Sequence, residues 1–451
     1  MFAAAARSVF AWLVAGLLFG STALAARPNL IVMIVDDLGY GDVSRLAKDA
    51  VETPNIDRLA SMGVTFTSGY VTAPLCAPSR AGFFTGLYPQ RFGFLRNIDT
   101  LPTDLPLLPG VLRQAGYRTA LLGKWHAGGP LPHDRGCFDE TLCSPASSPF
   151  IRFHNPRLAR NGVSETFEAY STDLFAREAE AFIERNRERP FALTIAFNAP
   201  HIDRVVKDAG AIRKDWDAAR AAGAVLDVPK YPTAPAGAAA GYAARFPGDT
   251  ARADTVATIA ALDAAVGRIL DKLRDTGLDR NTAVFFFADN GGHPENRSGN
   301  GPLRDYKWSH FEGGIRVPFF AAYPGVFPAG REYDEPVSTL DIFPTMMALA
   351  GLQPPARLDG VDLTPHLTGA KDSPPHEALY FNTSDPSQGA VRQGKWKLVL
   401  GRQGAKLFDL AADVGETTDL ASEEPALAET LAAAWRAWKA QMPPAQRSGR
   451  R

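Results

Sequence analysis

The sequence predicts an α/β fold: a large, mostly parallel sheet sandwiched by helices, then a small C-terminal antiparallel sheet with a helix. Three observations carry this. Four continuous apolar runs, NLIVMIVDD, YRTALLGKWH, FALTIAFNAPH and TAVFFFADNGG, read as strands covered on both faces, as parallel strands are. Helical patterns lie between them, and alternation of strand and helix is the mark of a parallel sheet. After about Gly369 the pattern changes to short strand-like runs with polar turns.

Taken in chain order, the first segment stands outside the fold. Arg7, an apolar run from Val9, and Ala23-Leu24-Ala25 make the three-part layout of a secretory signal peptide, with cleavage expected after Ala25. The competing reading is an uncleaved anchor. No later apolar run reaches the ~20 residues that span a bilayer. The mature chain is therefore expected to be periplasmic or secreted, with no membrane attachment. The four strand runs follow at Asn29–Asp37, Tyr117–His126, Phe191–His201 and Thr282–Gly292. Between the second and third, Phe175, Ala179, Phe182 and Ile183 share one face of a helix over Ser171–Asn186. Between the third and fourth, Val256, Ile259, Leu262, Val266, Ile269 and Leu273 recur at helical spacing, and Gly277 supplies the stop. Residues 208–248, rich in Ala, Pro and Gly, read equally as an insertion beside the substrate or a plain surface excursion. ALYF, GAVRQG, KWKLVL and AKLFDL then form the small sheet, and EPALAETLAAAWRAWKAQM a closing amphipathic helix. The expected organisation is a signal at 1–25, a catalytic domain at 26–369, an antiparallel subdomain at 370–443 and a disordered tail at 444–451.

Composition sets the outer limits. The chain has 451 residues, 45% hydrophobic and 22% charged, with a net charge of −1. That is enough chain for a large core. A near-neutral balance gives no support for nucleic-acid binding, which shows a basic excess. There are three cysteines, Cys76, Cys137 and Cys143. In an oxidising compartment an odd count leaves one over. Cys137 and Cys143 are close enough in sequence to pair, which would leave Cys76; the alternative is that none is bonded.

Cys76 lies in LCAPSRAGFFTG. Pro78 suits the first turn of a helix and Gly86 its end. Cys76 is thus expected at a helix N-terminus, where the dipole favours anions, with Arg80 on the same face one turn on. Alone, the stretch reads as a small buried hydrophobe, since free cysteines are among the most buried residues.

The strand ends change the balance. Asp36 and Asp37 close the first run, Lys124 and His126 the second, His201 the third, and Asp289 and Asn290 the fourth. In parallel α/β sheets ligands bind beyond the carboxyl ends of the strands. Asp36, Asp37, Asp289 and Asn290 are all oxygen donors, a set that favours calcium or magnesium over zinc. Arg80, Lys124, His126, His201 and Lys307 form a cationic set, which an anionic tetrahedral substrate needs for its oxygens and its leaving group. The two histidines can also move protons. His133, His154, His293, His310, His366 and His376 receive no role, although His293 and His310 flank the proposed loops as secondary contacts.

Cys76-Ala77-Pro78-Ser79-Arg80, followed by Thr85-Gly86, resembles the signature of the type I, formylglycine-dependent sulfatases. It is joined in order by VDD at 35–37, GKWH at 123–126, APH at 199–201, ADNGG at 288–292, and the K-x-x-x-x-EGG-x-RVP pattern from Lys307 to Pro318. LFDLAADVGETTDLA near the end resembles the family's closing strand and turn. The resemblance covers nearly the whole mature chain. It implies the fold of the alkaline phosphatase superfamily and hydrolysis of organic sulfate monoesters. It implies that Cys76 is converted to formylglycine (3-oxoalanine) by a formylglycine-generating enzyme, becoming both nucleophile and metal ligand. Asp36, Asp37, Asp289 and Asn290 would hold one calcium ion. Arg80 and His126 would orient the aldehyde hydrate with Lys124 beside them, and His201 and Lys307 would bind sulfate and assist the leaving oxygen. One hydroxyl of the hydrate would attack sulfur and release the alcohol. The other would lose its proton, to His126, and expel sulfate.

One departure is Asp305 in PLRDYK, where many relatives carry glycine; it bears on substrate class more than on activity. The nearest rival reading is a phosphonate monoester or phosphodiester hydrolase with the same formylglycine and fold. Further off lie a non-catalytic sulfated-glycan binder, disfavoured because no ligand or nucleophile is lost, and a thiol enzyme using unmodified Cys76. The substrate is expected to be a sulfated small molecule or glycan, with a leaning to carbohydrate.

Overall fold

The computed structural model describes residues 27–47, 51–145, 150–204, 230–231, 233–355 and 357–444. The signal at 1–25, most of the 208–248 segment and the tail from 445 lie outside the described residues.

Each apolar run is a strand. In chain order the large sheet uses β1 (Asn29–Asp36), β2 (Val64–Phe66), β3 (Arg118–Gly123), β4 (Glu140–Cys143), β5 (Arg157–Arg160), β6 (Val163–Thr166), β7 (Phe191–Pro200), β8 (Thr282–Ala288), β9 (Phe319–Ala322) and β10 (Arg331–Tyr333). Their order across the sheet is β10-β2-β9-β8-β1-β7-β3-β4-β5-β6. The central strands β8, β1, β7, β3 and β4 run parallel, and β9, β5 and β6 add antiparallel pairings toward the edges.

The two faces of β1 show why a continuous apolar run is needed. Ile31, Met33 and Val35 enter one core cluster with α4 (Ser171–Arg185) and α5 (Thr250–Asp275). Leu30, Val32 and Ile34 enter a second, with α2 (Cys76–Thr85) and α3 (Leu108–Gln114). Side chains alternate across a strand, so a strand covered on both faces is apolar along most of its length and has no position for a charged residue within it. The polar residues therefore gather where the parallel strands leave the sheet.

The C-terminal part is a consecutive antiparallel sheet of β11 (Leu379–Asn382), β12 (Gly389–Gln393), β13 (Trp396–Gly401) and β14 (Gly404–Asp409). Helix α8 (Pro425–Lys439) lays Leu431, Trp435 and Trp438 on it, and Trp438 stacks on Tyr380 at 5.2 Å.

The proposed pairing of Cys137 with Cys143 is corrected: both thiols are free and buried. The Cys137 carbonyl accepts from the Thr119 hydroxyl, whereas Cys143 lies opposite Gly123. Four residues of extended strand separate those partners by about 13 Å, beyond the ~7 Å between Cα atoms that a disulfide spans. Cys76 is therefore one of three free cysteines, set apart from the other two by its surroundings.

His376 and Asp341 tie the approach to the small sheet to the main body, with Nε2 2.8 Å from Oδ1. Burial opposes the imidazolium, but the Asp341 carboxylate outweighs it and raises the His376 pKa above its ordinary value. The sign follows: stability from this pair is fully present below pH ~6.5, the unfolded value, and is lost as pH rises through the raised native value. The melting difference between wild type and His376→Gln should be largest in mildly acidic buffer and shrink in alkaline buffer. A difference that grows with pH contradicts the pair.

Candidate active site

The site forms where the parallel strands end. Asp36 is the last residue of β1, and Asp37 turns the chain away at a positive φ of 65°. Asp289 and Asn290 follow β8 directly, and the Asp37 N–H donates to Asp289 Oδ1 at 3.3 Å. This seam joins two adjacent parallel strands, so their four terminal side chains converge without a long loop.

Helix α2 starts at Cys76 and ends at Gly86 with φ 65°, a left-handed cap that glycine adopts without strain. Cys76 Sγ lies 3.4 Å from Asp36 Oδ1 and 3.8 Å from Asp37 Oδ1. Arg80, one turn on and fully buried, donates through Nε to Asp289 Oδ2 at 2.8 Å and through Nη1 to the Lys124 carbonyl at 2.7 Å. Lys124, just past β3, reaches Asp36 Oδ2 at 2.5 Å. Lys307, on the loop from Gly301 to Pro318, lies 2.5 Å from Asp37 Oδ1 and 3.0 Å from Cys76 Sγ. His201, just past β7, sets Nε2 3.6 Å from Asp37 Oδ2. Its Nδ1 lies 2.7 Å from the Ile202 carbonyl, which assigns the proton there and leaves the lone pair of a neutral ring on Nε2. His126, two residues beyond Lys124 at φ 46°, has its Nδ1 buried with no hydrogen-bond partner.

Electrostatics sort these groups. Burial opposes charge on Asp36, but Lys124, His201, Arg80 and Lys307 together hold it well below the usual carboxylate range. Asp289 is pushed up to about 7 by burial and by Asp36, with Arg80 and Lys124 pulling the other way. Burial, with Lys124 and Arg80, drives His126 well below its ordinary value. Burial holds His201 at about 4 despite Asp36 and Asp37. Both imidazoles are therefore neutral near pH 7, with a ring nitrogen lone pair that can act as a base. Burial and Asp289 raise the Cys76 thiol well above its ordinary value, against Lys124 and Lys307. A buried, protonated thiol is a poor nucleophile.

The oxygen donors fit a hard cation. One ligand atom from each of Asp36, Asp37, Cys76 and Asp289 lies within 4.8 Å of all the others, and all four residues are buried. Asp37 Oδ2 and Asn290 Oδ1 are buried with no hydrogen-bond partner. Buried oxygens without donors are costly, and a calcium- or magnesium-like ion satisfies such a set.

All ten residues expected from the sequence thus converge on one strand-end edge. Other neighbours were not expected. Asn97 Oδ1 accepts the Ala77 N–H at 3.1 Å and caps α2 beside Cys76. Phe150 is 51% exposed, yet its ring packs 5.7 Å from His201 at the mouth. Trp308, next to Lys307, holds φ 76°, which is rare for a bulky side chain. Nothing in local sequence marks these three, since a cap, a rim and a backbone outlier exist only after long-range folding. His293 is buried, with its ring 6.4 Å from His201 and 4.7 Å from Trp308; His310 is buried as well. Asp305 has φ 68°, which explains how aspartate stands in a usual glycine place: a short polar side chain tolerates the left-handed region.

The family model described as Sulfatase matches residues 28–352, and one described as N-sulphoglucosamine sulphohydrolase, C-terminal, matches residues 303–437. The chain is 32% identical to arylsulfatase A of Bos taurus, over 92% of this chain and 83% of the relative. It is 33% identical to N-acetylgalactosamine-6-sulfatase of Canis lupus familiaris, over 84% of this chain and 72% of the relative. The crystal structure of Ps i-CgsB in complex with k-i-k-neocarrahexaose superimposes with a TM-score of 0.81 at 29% identity, covering 92% of this chain and 94% of that one. The phosphonate monoester hydrolase of Agrobacterium radiobacter shares the fold, with a TM-score of 0.65 at 22% identity over 92% and 96% of the two chains.

The donor set generates a direct test. Purified enzyme should carry one divalent cation per chain by elemental analysis, and Asp289→Ala should carry almost none. Because Lewis-acid stabilisation is worth several kcal/mol, the variant should turn over at least ~100-fold more slowly. A stoichiometric cation in Asp289→Ala, or full turnover without metal, contradicts the assignment.

Proposed function

The chain belongs to the sulfatase family and is a sulfuric ester hydrolase, and from that premise we propose how its own residues act and on what. Cys76 is the precursor of the nucleophile, read as formylglycine, and its Sγ marks where the oxygens of the modified side chain would sit. The observation that carries this is its place: a buried helix N-terminus, 3.0 Å from Lys307 Nζ and beside Asp36 and Asp37. An aldehyde hydrate supplies two hydroxyls, one to attack sulfur and one whose deprotonation restores the aldehyde. Asp36, Asp37, Asp289, Asn290 and residue 76 would hold a calcium ion, which when bound would polarise the sulfuryl oxygens as a Lewis acid.

The remaining work falls to side chains. Arg80, pinned to Asp289 and to the Lys124 carbonyl, is a rigid guanidinium that orients residue 76. Lys124 and Lys307 present ammonium groups to the sulfate oxygens, where each donor of this kind is worth about 10²–10³ in rate. His201 Nε2, unprotonated in the resting ring, takes up the proton released by the attacking hydroxyl and delivers it to the leaving oxygen. His126, held neutral, takes the proton from the hydroxyl of residue 76. Burial of the whole cluster excludes water and strengthens each of these interactions.

The substrate we propose is a sulfated carbohydrate. Support comes from the sugar-sulfatase names among the relatives and from the neocarrahexaose complex of Ps i-CgsB. Phe150 at the mouth offers an apolar face of the kind that stacks on a sugar ring or an arene. We also read residues 1–25 as an export signal, and among the described residues no helix is long and apolar enough to cross a membrane. The phosphonate alternative rests on a fold shared at 22% identity, which speaks for architecture alone.

Kinetics on matched substrates decide between the readings. The account expects kcat/KM for an aryl sulfate to exceed that for the matching phenyl phosphonate by at least ~100-fold; the reverse order selects the phosphonate reading. Among sulfate esters, sulfated oligosaccharides should be preferred over simple aryl sulfates. Phe150→Ala should narrow that preference by about tenfold, the scale of one lost apolar contact of ~1–3 kcal/mol. An unchanged ratio removes Phe150 from substrate recognition.

A further inference from the structure

The loop that carries Lys307 is closed at its neck. Gly313 N–H donates to the Arg304 carbonyl at 2.7 Å, so residues 304–313 form a compact loop with Lys307 near its tip. The tip is tied to the site, Lys307 N–H to the Gly292 carbonyl at 3.2 Å and Trp308 N–H to the Pro74 carbonyl at 2.9 Å. The neck is tied elsewhere, to the C-terminal sheet.

Glu416, in the turn after β14, holds both sides of that neck. Its carbonyl accepts from Arg304 Nη1 at 2.6 Å, and its Oε2 accepts the Glu312 N–H at 2.7 Å. Lys397 on β13, fully buried, lies 2.8 Å from Glu312 Oε1 and 2.9 Å from Glu416 Oε1. Glu312 Oε2 accepts from the Tyr70 hydroxyl at 2.7 Å and lies 3.3 Å from Arg316 Nη1. Glu416 sits at φ 53°, and Asp413 Oδ2 builds its turn by accepting the N–H groups of Thr417 and Thr418 at 2.7 and 2.8 Å. Close packing leaves the neck no second position: a Cβ at Gly313 would meet the Asp305 carbonyl oxygen at 2.2 Å.

A buried lysine between two buried glutamates is an expensive way to attach a sheet, since well-packed apolar residues often do as well or better. Here the charges hold one loop at the two points that flank Lys307, three residues before it and five after. We infer that Lys397 and Glu416 are positioning residues, and that the C-terminal sheet acts as a clamp setting the height of the Lys307 ammonium over residue 76. The inference rests on the reading of Lys307 as a catalytic group. A displacement of about 1 Å at such a group costs on the order of 100-fold in rate.

The test compares Glu416→Gln, Glu416→Ala and Arg304→Met with Leu431→Ala, each assayed well below its own melting temperature. Leu431 is buried between α8 and the small sheet, away from the neck, so its truncation loosens the C-terminal sheet without touching the clamp. Glu416→Ala and Arg304→Met should lower kcat by about tenfold to a hundredfold with KM nearly unchanged. Glu416→Gln, which keeps an acceptor for the Glu312 N–H, should recover most of that loss and keeps the test open if the alanine variant fails to fold. Leu431→Ala should lower melting temperature and leave kcat near wild type. Normal kcat in folded Glu416→Ala and Arg304→Met, or an equal loss in Leu431→Ala, overturns the clamp. Lys307→Ala is the reference: if its kcat is unchanged, the reading of Lys307 fails and takes the inference with it. If only Lys307→Ala is impaired, the clamp alone is wrong.

Discussion

Three carboxylates, Asp36, Asp37 and Asp289, are buried together at the ends of two neighbouring parallel strands, and the architecture around them answers that arrangement. Like charges in a low-dielectric interior repel strongly unless cations stand among them. Arg80 arrives from α2, Lys124 from β3 and Lys307 from a distant loop, each within hydrogen-bonding range of one carboxylate. Burial and Asp36 push the Asp289 carboxyl up, while Lys124, His201, Arg80 and Lys307 hold Asp36 low. The oxygens still without donors, on Asp37 and Asn290, lie where a divalent ion would complete the balance.

This constraint orders the rest of the molecule. The apolar strands must be covered on both faces so that the carboxylates appear only at their ends. Helix α2 must begin where it does, because its first residue faces the carboxylates and its fifth holds Asp289. The Lys307 loop must hold its ammonium between Asp37 and Cys76, which a mobile loop could not do. A second buried charge cluster, Glu312, Lys397 and Glu416, supplies that rigidity from the C-terminal sheet. Buried ion networks contribute little net stability, so both clusters fit a fold that gives up stability for placement.

Much of this is legible in the sequence. β1, β3, β7 and β8 announce themselves because a strand covered on both faces is apolar along most of its length, and charged or imidazole side chains follow where each leaves the sheet. The ten site residues are therefore readable as strand ends, a helix start and one loop lysine. The short strands β2 and β10, three residues each at one side of the sheet, carry too little pattern to read. Cys137 and Cys143 misled because closeness in sequence says nothing about separation once a strand extends between them. Glu416 lies 104 residues from Glu312, so their contact has no local trace. The tilt of Phe150 onto His201 and the φ of Trp308 likewise follow from tertiary packing, which overrides local preference.

The account turns on the chemical identity of residue 76. Burial beside Asp289 keeps an unmodified thiol protonated, so the proposed chemistry needs a different group at this position. Peptide mass spectrometry across Leu75–Arg80, on enzyme whose specific activity has been measured, tests this most directly. The account predicts that sulfur is lost from residue 76, that an aldehyde takes its place, and that activity rises in proportion to the converted fraction across expression hosts. A fully active preparation in which this peptide keeps its sulfur throughout, and takes up a thiol reagent stoichiometrically, would contradict it.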